Sequence, residues 1–220
     1  MNLFDKAVLL LTGFSAIYLI VRLYQDFNSK ELKPRHNIPY IVSFTVLLIS
    51  GLLLIIFGWD ILPQPEIIVV TTLIPMGLAV GLVCEFHKEK LGKSYKIIAL
   101  FGLISIILTR FIPDVPRGLQ VFAIASVHSI FGLTVFLIPI IAIRMGKAPN
   151  GFIFVTIGEI LIGLGGIALT FLKSDKQLLF FSPEFVMMIL AALLLLMTLA
   201  FTWGFMKKIK FNNFSNNQNN

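Results

Sequence analysis

The sequence predicts an all-α membrane protein, a seven-transmembrane-helix bundle with its N-terminus outside and its C-terminus in the cytoplasm. Three observations carry this. Hydrophobic residues make up 57% of the 220 and charged residues only 13%, about half the charge a soluble domain spreads over its surface. The apolar residues fall into seven long runs. The basic residues cluster in alternate connections between those runs. Together these exclude a soluble enzyme, a disordered chain and a disulfide-stapled secreted domain. The single cysteine, Cys84, allows neither an intrachain disulfide nor a multi-cysteine metal site.

A hydrocarbon core about 30 Å thick needs roughly 20 apolar residues per helix. The runs lie near 7–25, 38–62, 67–86, 96–112, 120–144, 152–172 and 178–206. They are apolar on all sides, unlike barrel strands, which alternate. Polar, proline- or lysine-bearing segments separate them: Asn28–Asn37, Trp59–Glu66, His87–Tyr95, Pro113–Gly118, Gly146–Gly151 and Lys173–Gln177. Connections this short make consecutive helices antiparallel neighbours, so residues 1–210 form one membrane domain. The asparagine-rich segment 211–220 is expected to be a disordered tail.

The positive-inside rule sets the orientation. Arg22, Lys30, Lys33, Arg35, Lys88, Lys90, Lys93, Lys96, Arg144, Lys147, Lys207, Lys208 and Lys210 lie on one side, thirteen of the eighteen basic residues. With its acids that side carries net +9 and the other −1. The basic face is expected to rest on anionic lipid headgroups of the cell membrane, which removes the case for nucleic acid. Tyr24, Tyr40, Tyr95, Trp203 and Trp59 mark the interfaces. The first run leads directly into Arg22 without a small-residue cleavage site, so it reads as a retained helix, not a signal peptide.

A weak internal similarity aligns Thr45–Phe57 with Glu159–Phe171. It matches a layout of two three-helix units joined by a fourth helix, as in some transporters.

Ionisable residues within spans are costly and usually mark function or a buried partner. Glu159 lies in the sixth run beside Thr156, Gly158 and Gly163, and His128 lies in the fifth between Ser126 and Ser129. Both are candidate ligand- or proton-binding groups. The plainer alternative for each is a hydrogen bond to a neighbouring helix. Counted from the cytoplasmic ends, their depths differ by about 12 Å at 1.5 Å per residue, which argues against contact. Haem would need a second axial ligand at matching depth, and none is visible. No cofactor is implied.

Arg110, at the outer end of the fourth run, is a candidate anion or headgroup contact, with an ion pair to nearby Asp114 as the plainer alternative. Cys84, Glu85 and His87 suggest a thiol nucleophile, but no third orienting group accompanies them. Glu85 beside Lys88 and Lys90 reads as a solvated interfacial cluster. Pro75 and Pro139 are expected to kink their helices. The pairs Gly77/Gly81 and Ala125/Ser129 are expected to pack helices closely, within the chain or in a homo-oligomer. There is no P-loop, CxxC or HExxH motif.

The expected function is a non-enzymatic module that binds, senses or transports a small or lipidic ligand through the bundle. An accessory subunit of a larger membrane complex is the alternative. A lipid-modifying membrane enzyme ranks third.

Overall fold

Helix boundaries follow from where the backbone can no longer pair with itself. The computed structural model describes residues 1–29, 33–87, 89–173 and 183–218, with side chains outside 167–173, 183–188 and 214–218. The described residues are helical, with no strand. Helix α1 spans Leu3–Ser29, α2 Asn37–Phe57, α3 Pro65–Phe86, α4 Glu89–Phe111, α5 Arg117–Arg144, α6 Ile153–Lys173 and α7 Pro183–Gln218. Helices α1 to α5 and α7 are long and apolar enough to cross a membrane, and a shorter apolar stretch, Asn150–Gly166, covers the start of α6. The chain therefore has the architecture of an integral membrane protein.

Local chemistry explains the ends. At the start of α1, Asn2 and Asp5 exchange side-chain and backbone hydrogen bonds of 2.8 and 3.2 Å, a reciprocal cap for otherwise orphaned N–H groups. Helix α2 stops at Phe57, five residues before the expected end. Gly58 there adopts φ 77° and returns its N–H to Leu54, and a 3-10 turn follows over Trp59–Ile61. Pro65 opens α3, where its missing N–H costs nothing. Helix α4 begins at Glu89, so the lysine-rich segment adds turns to it. The expected start of the last span, residue 178, lies outside the described residues. The asparagine-rich segment differs from expectation: α7 continues through it to Gln218. Extending an existing helix gains one hydrogen bond per residue fixed, without the cost of a new nucleus.

The helices close into a ring in the order α1, α2, α3, α5, α6, α7, with α7 returning to α1. Helix α4 sits outside, against α3 and α5. Only 17% of its most apolar window is buried, against 50% for α3. The ring thus runs through the first three helices and then the last three in chain order, with α4 linking them from outside.

Hydrocarbon solvent gives no hydrophobic drive between helices, so close backbone approach and polar contacts hold them. Added Cβ atoms at Gly77 and Gly81 would collide with Ser43 and Tyr40 of α2, and the former would also lie 2.9 Å from the Pro39 carbonyl. This small-residue pair therefore works within the chain. Ala125 and Ser129 face outward instead. A Cβ at Gly204 would lie 2.9 Å from the backbone nitrogen of Val155, which fixes α7 against α6. Tyr40, Phe44, Phe131, Phe152, Phe201 and Phe205 are fully buried and fill the interior.

These contacts predict a contrast. Gly204→Ala should lower stability by about 1–3 kcal/mol, because backbone cannot yield to the added methyl. Gly51→Ala, where nothing lies within 4 Å, should be neutral or stabilising by up to about 1 kcal/mol. Reversible unfolding in mixed micelles measures both.

Candidate ligand site and buried charge cluster

The seam between α5 and α6 carries the two residues singled out by the sequence. Thr156 donates a 2.9 Å hydrogen bond to the Phe136 carbonyl, beside the Val135 carbonyl that Pro139 leaves without an i+4 partner. One turn along, the carboxyl of Glu159 lies over Gly132, where a Cβ would come within 2.8 Å of Oε1. These contacts fix the antiparallel register and place Gly163 level with His128. Gly163 has open space around it.

Glu159 is half-buried. Among the described residues its carboxyl has no hydrogen bond and no ion pair. His128 is exposed on the outside of the bundle, with Nδ1 3.0 Å from the Ile124 carbonyl. A carbonyl only accepts, so Nδ1 carries the proton and Nε2 points away from the backbone.

The expected depth difference needs correction. His128 precedes Gly132 by four residues, a rise of about 6 Å, so it sits one turn from the Glu159 carboxyl instead of two. The cause is the connection before α6. Its 3-10 turn, Asn150–Phe152, buries Phe152 completely, so α6 starts already inside the bundle. The two side chains share one seam without bonding to each other.

Arg110 is not brought to this seam. It donates to Gln120 Oε1 at 3.2 Å, and Gln120 in turn donates to the Val115 carbonyl at 3.0 Å. The expected Asp114 partner is instead an exposed turn residue with φ 62°. The trio at the end of α3 also separates: His87 is exposed and Cys84 is half-buried against Gly92.

Glu85 overturns its sequence reading. It is not solvated, since its side chain is 7% exposed. Its Oε1 accepts from Lys208 of α7 and lies 3.0 Å from His36 Nε2, and its Oε2 accepts from the Tyr40 hydroxyl at 2.8 Å. The Lys208 side chain is 5% exposed. Its ammonium lies 5.3–5.8 Å from the ring centres of Tyr40, Phe86 and Phe152, within cation–π range. One carboxylate thus joins α2, α3 and α7. Nearby, Asn37 donates to the Leu23 carbonyl at 3.2 Å and to Asp26 at 3.0 Å, adding the end of α1 to the cluster.

Sequence reasoning missed this cluster because 123 residues separate Glu85 from Lys208. Each looked like an ordinary interfacial charge. The available signal was the aromatic setting: Phe86 follows Glu85, and Phe205 lies one turn before Lys208. Two surface recesses lie elsewhere. An apolar crevice of about 170 Å³ runs between α1 and α2 beside Gly13 and Gly51. A recess of about 380 Å³ lies by Met1, Lys6 and Asp60. Neither includes Glu159, His128 or Arg110.

No protein-family model, no curated protein and no solved structure matches this chain.

Two predictions follow from the geometry. Lys208→Met leaves a buried carboxylate without its cation and should cost about 3–5 kcal/mol. Adding Glu85→Gln should recover most of that loss, and a double-mutant cycle of unfolding free energies reads the coupling. At the seam, Gly132→Ala pushes on the free end of a flexible side chain. Its stability change should stay below about 1 kcal/mol, while the carboxyl is displaced, visible as a changed carbonyl band of Glu159 in infrared difference spectra against Glu159→Gln.

Proposed function

We propose that this chain is a seven-crossing membrane module, N-terminus outside, that binds a lipidic ligand at the α5–α6 seam in order to sense or carry it. One observation carries the proposal: a half-buried carboxyl within a span, seated over a glycine, has no partner among the described residues. Such a group is expensive in hydrocarbon unless something neutralises or hydrogen-bonds it. The exposed His128 one turn away and the open space at Gly163 give a ligand access from the side. Ile157, Ile160, Leu164 and Leu133 are exposed around the seam and supply an apolar rim for a hydrocarbon tail.

Lateral binding fits better than a route through the ring centre. At the basic end that centre is filled by aromatic rings and the Glu85–Lys208 pair. The three-plus-three ring supports carriage, because transporters with two such units move them against each other. The packed interior favours a second reading, the accessory subunit, which needs rigid packing and no ligand.

A photoreactive benzophenone amino acid in place of Gly163 tests the proposal in native membranes. A recurrent amphiphile should crosslink there and be absent from the same substitution at Leu137, which faces outward on α5. An identical mixture of bulk lipids at both positions overturns the proposal. Crosslinking to another polypeptide overturns it in favour of the accessory subunit.

A further inference from the structure

We infer that the ligand of the α5–α6 seam is an amphiphilic amine: a hydrocarbon chain or ring system with a protonated amino group at its polar end. This rests on the seam being a ligand site and names its chemical class. Charge is the first argument. Glu159 brings an ionisable carboxyl into the span, and no lysine or arginine among the described residues pairs with it. The buried acid Glu85, by contrast, has an internal ammonium, Lys208. At Glu159 none of the described residues supplies the cation.

Hydrogen-bond direction is the second argument. His128 spends its Nδ1 proton on the Ile124 carbonyl, so neutral imidazole offers the seam only the Nε2 lone pair. Transfer of the Glu159 proton to an amine leaves a carboxylate, which is acceptor-only. With the amine bound, the seam presents two acceptors about one turn apart. An ammonium supplies up to three donors and a positive charge. A fatty acid would add a second carboxylate beside Glu159, and an alcohol supplies one donor and no charge. Shape is the third argument. Gly163 leaves room for a small head group beside the carboxyl that occupies Gly132, while Ile157, Ile160 and Leu164 form an apolar outer wall.

The test uses the full chain in phosphatidylcholine nanodiscs and a long-chain primary amine carrying a benzophenone at its tail. The probe should crosslink saturably to α5 and α6. Unlabelled hexadecylamine should compete at least about tenfold better than hexadecanol, the gain expected when a hydrogen bond becomes charge-assisted. Hexadecanoic acid should compete least. Glu159→Gln should erase the preference for amine over alcohol, and Glu159→Asp should keep it, with circular dichroism unchanged in both variants. If amine and alcohol compete equally, or the preference survives in Glu159→Gln, the amine is overturned while the seam remains a ligand site. If no probe crosslinks saturably, the seam itself fails as a site.

Discussion

The pairing of Glu85 with Lys208 is the contact on which the basic end of the bundle depends. Two charges are removed from water at a bundle end, which is costly unless attraction and hydrogen bonds compensate. Here the compensation is complete on the carboxylate side: one oxygen faces an ammonium and an imidazole, the other a phenol. The rings of Tyr40, Phe86 and Phe152 surround the ammonium and turn their faces into further partners. Satisfying this one group requires the start of α2, the end of α3 and the Lys208 turn of α7 to lie at the same level, so the pair sets helix register as well as attraction.

The same logic recurs more weakly around the ring. Ser15 and Thr202 share a 3.0 Å hydrogen bond between α1 and α7. Tyr95 and Thr134 share one of 2.6 Å between α4 and α5, and Thr156 reaches the Phe136 carbonyl between α6 and α5. Such bonds in membranes contribute about 0.6 kcal/mol each on average. Their value lies in direction: each fixes rotation and depth, which apolar surfaces alone leave free. Glycines at the α2–α3 and α6–α7 contacts let those helix backbones come close.

Glu159 stands out against that background. Thr156, one turn before it, finds a partner in the Phe136 carbonyl, and the Glu159 carboxyl has none among the described residues. The α5–α6 seam is tied at Thr156, and at Gly163 open space takes the place of interlocking side chains.

Composition and the seven apolar runs were enough for the helical membrane class and for most helix boundaries, because the length of a span is set by bilayer thickness and its ends by glycine, proline and charge. They also singled out Glu159 and His128, since an ionisable residue inside an apolar run is conspicuous without any structure. The sequence could not show that Glu85, beside lysines at a helix end, is buried and paired with a lysine 123 residues away, because local pattern carries no information about which helices meet. It misjudged the depth of Glu159 relative to His128 for the same kind of reason. Depth counted along a chain assumes that every helix starts at the membrane surface, and the buried turn at Phe152 starts α6 further in. Only the packing of the helices decided that Glu85 is neutralised by Lys208 inside the bundle and that Glu159 is left without a partner among the described residues.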